Sequence, residues 1–232
     1  MKSFIYILLT SLTFLVVGCQ NESEEIRLIN QAERLFDAYP DSVITTLDSI
    51  PLPEEMSPRL IARWCMLYAR AADKIEDEMP YTNQLEIALK YYQKKKMREE
   101  ETEIGLYLGR SYVEDKEYEK AMRTYSDALK VALAIKDYNR AGYICSYMGD
   151  LYEVDLRYIL AAEKYKESGK YFHLANNTTS YVRAFVNEGR SYMSVDSNYL
   201  ALASLKQAEV IMDSLNVENV KTYVYNLSLI HI

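Results

Sequence analysis

Across 232 residues the chain carries 34 acidic and 27 basic side chains, a formal net charge of −7, with 22 tyrosines, three cysteines and two histidines. An acidic balance without a basic stripe excludes recognition of a phosphate backbone, and Lys94-Lys95-Lys96 is answered at once by Glu99-Glu100-Glu101, so nucleic acid is not an expected partner. His173 and His231 stand in no metal-ligand spacing, and neither G-x-S-x-G nor a glycine-rich phosphate loop occurs; no catalysis, metal or cofactor is expected.

In chain order, Lys2 is followed by an uncharged run from Phe4 to Val17 that ends at Gly18-Cys19. Fourteen helical residues rise about 21 Å, short of the roughly 30 Å of a hydrocarbon core, so residues 1–18 read as a cleaved signal peptide and not a permanent span. Val16-Val17-Gly18-Cys19 resembles a bacterial lipobox, with Val16 where Leu is commoner. The resemblance implies acylation of Cys19 and a chain held by lipid to a membrane of the bacterial cell envelope, the outer membrane favoured, facing periplasm or cell surface. Several acyl chains on one residue give lasting attachment where a single chain does not.

Residues 19–56 read as a polar tether and a helical hairpin formed by Glu24–Ala38 and Asp41–Ile50. Pro40 falls in the first turn of the second helix, where a missing N–H costs little. The Pro-rich stretch Pro51–Pro58 is the longest linker. From there a forty-residue echo governs the chain. Gly109, Gly149 and Gly189 are each followed by a Tyr three residues on (Tyr112, Tyr152, Tyr192), then by Ala121, Ala161 and Ala201. Apolar residues recur at helical spacing, as in Ala121, Tyr125, Ala128, Leu129 and Ala132, and Asn and Asp punctuate the units at Asp137, Asn139, Asn176-Asn177 and Asn216. Each unit therefore reads as a helix hairpin that buries its apolar face by stacking on the next. Cys65 and Cys145 fall at one phase of units two apart, roughly 20 Å at about 10 Å per unit, too far for a disulfide, and read as separate buried thiols.

The residues Gly105, Leu108, Gly109, Tyr112, Ala121, Tyr125, then Cys145, Met148, Gly149, Tyr152, Ala161, Tyr165, then Phe185, Glu188, Gly189, Tyr192, Ala201, Leu205 resemble the tetratricopeptide repeat pattern W-x2-L-G-x2-Y…A-x3-F. The resemblance implies an all-α fold, an α-solenoid of hairpins at 102–135, 142–175 and 182–215. Ser57–Lys96 reads as a degenerate unit that holds Ala69, Ala72, Leu85, Ala88 and the sole tryptophan, Trp64, so that the array spans 57–216. Three positions depart from the pattern: Gly105 replaces a bulky residue, Glu188 an apolar one, and the period is forty, the six extra residues being expected in the second helix and its exit turn. The resemblance also implies a groove along the first helices, at Arg70, Arg110, Asp150 and Arg190 and, seven residues earlier, Arg63, Glu103, Tyr143 and Arg183. Guanidinium groups there would hold carboxylates of an acidic peptide. The alternative is a structural ladder from Arg110 to Asp150 to Arg190 with no ligand. The carboxylate clamp of chaperone-binding members is not matched.

Residues 217–232 begin another first helix, Leu227–Ile232 looks like translated sequencing adapter, and no polar end cap follows, so the chain is read as a fragment. The expected function is a non-catalytic, lipid-anchored scaffold for an unknown protein or peptide. Alternatives are the extracytoplasmic sensory half of a membrane regulator and, behind it, a nutrient-binding outer-membrane lipoprotein, which the regular period leaves little room to build.

Overall fold

A computed structural model describes residues 24–50 and 55–215, with no strand among them. The proposed leader at 1–18, Cys19, and the segment 217–232 lie outside the described residues. Ten helices occur among the described residues: α1 (residues 24–35), α2 (Pro40–Asp48), α3 (Pro58–Ile75), α4 (Thr82–Lys95), α5 (Arg98–Glu114), α6 (Tyr118–Ala134), α7 (Tyr138–Val154), α8 (Tyr158–Leu174), α9 (Thr178–Met193) and α10 (Asn198–Leu215). They fall into two compact units that divide after Lys95.

In the first unit, prolines start two helices: Pro40 opens α2 and Pro58 opens α3, each in a first turn that needs no N–H from it. Helix α3 is the centre. It buries Leu60, Ile61, Trp64, Cys65 and Ala69 and packs on both α2 and α4. Polar side chains fix the neighbours: the Trp64 indole N–H donates to the Leu47 carbonyl at 3.2 Å, the Tyr92 hydroxyl to the Ala62 carbonyl at 3.1 Å, and Arg63 to Asn30 and Glu33 of α1 at 2.9 and 2.7 Å.

In the second unit six helices stack in chain order, each packed on the next, and α5 also reaches α7. This is an α-solenoid of three hairpins, α5/α6, α7/α8 and α9/α10. The forty-residue period divides evenly: α5 to α8 have 17 residues each, joined by three-residue turns. The residues in excess of a 34-residue unit are thus shared by both helices instead of lengthening the second, and α5, α7 and α9 begin four residues ahead of 102, 142 and 182. Buried residues of the second helices keep one register: Ala121, Ala161, Ala201; Tyr125, Tyr165, Leu205; Ala128, Ser168, Ala208; Ala132, Phe172, Met212.

Glycine is used here for close approach. A Cβ on Gly109 would lie 2.1 Å from the Tyr125 ring, on Gly149 2.7 Å from Tyr165, on Gly142 2.7 Å from Phe172 and on Gly105 2.9 Å from the Ala128 Cβ. The bulky residue missing at Gly105 is therefore explained: α5 lies against α6 at that point. Ser168 adds a hydrogen bond to the Gly142 carbonyl at 2.8 Å.

The turns, by contrast, use no glycine. Left-handed backbone occurs at Glu76, Lys96, Lys116, Lys136, Leu156, Asn176 and Asp196, twenty residues apart throughout. From Lys116 to Asp196 the same pair of bonds closes each turn; at the first, Lys116 N–H donates to Val113 and Glu117 N–H to Tyr112, at 3.0 and 2.8 Å. This is the Schellman helix end, which satisfies carbonyls the helix leaves open. Asp137 and Asn177 then cap α7 and α9 by accepting from the N–H groups of Arg140 and Ser180. Leu156 is 71% exposed at φ 58°, so its side chain contributes little there while its Cβ strains the backbone. Leu156→Gly is expected to raise stability by about 0.5–1 kcal/mol in urea denaturation.

Glu188, which breaks the apolar pattern, is buried in α9. Burial holds its carboxyl above the ordinary range of 4.5, against the lowering effects of Lys166 and a hydrogen bond with Ser204. Since the folded value is raised, the charged form is the destabilised one: the penalty is present above that raised value and absent below 4.5. Glu188→Met is expected to stabilise by about 1–2 kcal/mol at about pH 8, with the gain shrinking towards pH 4.5. Urea midpoints across that range check it, and a gain that does not change with pH would assign the effect to packing alone.

Candidate functional site

The first helices of the second unit carry exposed side chains at helical spacing: Asn139, Tyr143, Asp150 and Val154 on α7, and Arg183 with half-buried Asn187 and Arg190 on α9. Of the groove residues expected from sequence, Arg110, Tyr143, Asp150, Arg183 and Arg190 belong to this unit, while Arg63 and Arg70 belong to the first. Arg63 is engaged there with Asn30 and Glu33.

Arg110 and Asp150 meet at one cavity of about 230 Å³ between α5, α6 and α7, whose remaining wall includes Glu114, Tyr125, Tyr147, Leu151 and Val154. Tyr125 and Tyr147 stack with ring centroids 6.0 Å apart, and the Arg110 guanidinium lies over the Tyr147 ring at 5.6 Å. The Tyr125 side chain is fully buried and its hydroxyl has no hydrogen-bond partner among the described residues. Burial, then the Tyr147 side chain, drives its pKa upward, so the hydroxyl stays protonated and can donate. The Tyr165 hydroxyl donates to Asp150 at 2.5 Å. Although Asp150 is exposed as a residue, loss of water around its carboxyl where neighbouring side chains crowd it raises that group, while this bond and Arg190 favour its charged form.

Several polar contacts between repeats fall three or two residues short of forty. Arg140 pairs with Glu103 at 2.6 Å, Tyr143 shares a hydrogen bond with Ser180 at 3.3 Å, Arg190 lies 3.6 Å from Glu153, and the Asn177 amide donates to Asn139 at 2.8 Å. The offset is close to one helical turn. Arg190 meets Glu153 at 3.6 Å while its charge also acts on Asp150, the residue of equal phase, and Ser191 donates to the same Glu153 at 2.6 Å. Glu103, which shares the groove phase, is buried and structural. Arg183 is exposed and has no ion pair among the described residues.

Tyr125, Tyr147, Leu151 and Val154 were not among the expected site residues. The available signal was the i, i+4 aromatic pair Tyr143 and Tyr147 beside Asp150, which places tyrosines and a carboxylate on one helix face. Cys65 and Cys145 are both free and buried, and burial pushes the Cys145 thiol up to about 12 and that of Cys65 further. Among the described residues no group of His, Cys, Asp and Glu could hold a metal ion.

No protein-family model and no curated protein matches the chain. Solved structures do. Nearly identical TPR-like repeats of a kinesin light chain from Podosopora anserina are 13% identical with TM-score 0.61, covering 84% of this chain and 97% of theirs. BtubC from P. vanneervenii is 15% identical with TM-score 0.55, covering 86% and 92%. Bacillus thuringiensis PlcR, solved with the peptide PapR7 and DNA, is 14% identical with TM-score 0.56, covering 88% and 75%. At these identities the likeness concerns the fold, which is tetratricopeptide-like.

Proposed function

We propose that the chain is a non-catalytic scaffold, held to the bacterial cell envelope by lipid on Cys19, whose second unit binds a segment of another protein along α5, α7 and α9. The carrying observation is the cavity at Arg110 and Asp150, where a buried Tyr125 hydroxyl lacks a partner among the described residues and an apolar wall of Tyr147, Leu151 and Val154 lies beside charged groups. An inserted apolar side chain would gain burial there, and a carbonyl or carboxylate beside it would accept from Tyr125. Arg183 and Arg110 supply positive charge for an acidic segment, while Arg190 is partly committed to Glu153. That one tetratricopeptide-like neighbour, PlcR, was solved with a peptide supports a peptide as the ligand class.

The test uses an array of immobilised acidic peptides. Tyr125→Phe and the combined Arg110→Ala, Arg183→Ala change are expected to weaken capture about tenfold, with a salt-dependent loss only for the arginines. Thermal stability should stay within about 1 kcal/mol when the exposed Arg183 alone is replaced. Capture unchanged by both would remove the groove. For the anchor, palmitate labelling and globomycin-sensitive processing are expected to disappear in Cys19→Ala, and a variant that matures and stays on membranes as before would overturn it.

A further inference from the structure

The first unit contains a second cavity, of about 300 Å³, at the low end of the volumes of ligand pockets. Trp64 and Tyr68 of α3 form two of its walls, their ring centroids 5.0 Å apart and their planes inclined by 41°. Tyr81, in the connection to α4, forms a third and is 75% exposed, a large aromatic with little packing to do in the fold. The indole N–H is spent on the Leu47 carbonyl, which fixes the ring; Trp64 is only 3% exposed, so it closes the inner side of the cavity while Tyr81 stands at its open side. Asp48 and Glu78 line the same cavity, and no Lys, Arg or His does among the described residues.

No cation among the described residues lines the cavity to offset this negative charge. Asp48, Asp77 and Glu78 all act on the Tyr68 hydroxyl, which burial and these carboxylates push up to about 12, and burial and Asp77 raise Asp48 itself. Yet among the described residues no three acidic or other ligating groups converge as a metal site requires. A small hard cation keeps its water unless oxygen ligands surround it, whereas an organic ammonium is weakly hydrated and is attracted to ring faces.

We propose that the cavity walled by Trp64, Tyr68 and Tyr81 and flanked by Asp48 and Glu78 binds an organic cation, the methylated ammonium head of a small molecule. The rings supply cation–π attraction and apolar contact for the methyl groups, and the two carboxylates supply the counter-charge. This site is independent of the groove reading, because none of its residues belongs to the second unit.

Trp64 is the only tryptophan in the chain, so its fluorescence reports this cavity alone. The full chain is titrated with choline chloride at ionic strength held constant with sodium chloride, and in parallel with 3,3-dimethylbutanol, its uncharged isostere. A saturable change in emission with choline is expected, with the isostere at least about tenfold weaker. Tyr81→Ala should weaken choline by about five- to thirtyfold, and Glu78→Gln by a smaller factor. Both side chains are exposed, so far-ultraviolet circular dichroism should not change. Free trimethyl-lysine, a small molecule with the same head, is expected to compete with choline, while phosphatidylcholine vesicles that displaced choline would overturn the small-molecule assignment in favour of a lipid surface. The proposal is overturned if choline leaves Trp64 emission unchanged, if the isostere binds equally well, or if both variants bind choline as the parent does.

Discussion

Gly109→Ala is expected to cost about 3 kcal/mol or more, because the added methyl carbon would stand 2.1, 2.4 and 2.7 Å from three atoms of the Tyr125 ring. That ring is fully buried and stacked on Tyr147, so it has nowhere to move without parting α5 from α6 or emptying its place between α6 and α7. The better helix propensity of alanine returns only about 1 kcal/mol. Gly169→Ala is the control. Its Cβ would meet the Ala184 Cβ at 3.4 Å, an ordinary contact, so the propensity gain should stand almost alone and stabilise by about 0.5–1 kcal/mol. Urea denaturation followed at 222 nm compares them, and two glycines giving similar results would contradict the packing of α5 on α6.

Arg140→Met should cost about 2 kcal/mol. Arg140 bridges the first and second hairpins of the solenoid, bonding Glu103 of α5 at 2.6 Å and also the cap residue Asp137, and the Glu103 side chain is only 8% exposed. Removing the guanidinium leaves a buried carboxylate without that cation, which costs more than the pair contributes. The figure is set below the usual range for a broken buried pair because the Arg140 side chain is 30% exposed. Adding Glu103→Gln should recover more than half of the loss, since a neutral amide is cheaper to bury. Stabilities of the two single variants and the double variant give the coupling, and purely additive losses would show that the bridge does not join the hairpins energetically.

The features that were legible in the sequence are those made inside one hairpin. Gly109 with Tyr125 and Gly149 with Tyr165 are sixteen residues apart, a separation set by helix geometry and one short turn, so the complementary sizes recur every forty residues and show as a pattern. The helical spacing and Pro40 opening α2 are equally local, whereas Pro58, read as the end of the linker, proves to open α3. The turns were less legible. Asn176 and Asp196 suit left-handed backbone, but Lys116, Lys136 and Leu156 adopt it because the helices on either side are held by packing, which overrides the cost of about 1–2 kcal/mol for a residue with a Cβ.

By itself, then, the sequence determined an all-α chain of hairpins in a forty-residue phase, since short-range sterics and periodic burial are written in residue order. Only the tertiary structure decided how the extra residues divide between the helices, that Arg190 meets Glu153 across a seam, that Tyr125 and Tyr147 join Arg110 and Asp150 around one cavity, and that Trp64, Tyr68 and Tyr81 converge on another. These depend on the axial offset between stacked helices, close to one turn, and on the path of a connection. Neither has a local signature, because the energy that fixes them comes from the packing of surfaces distant in the chain.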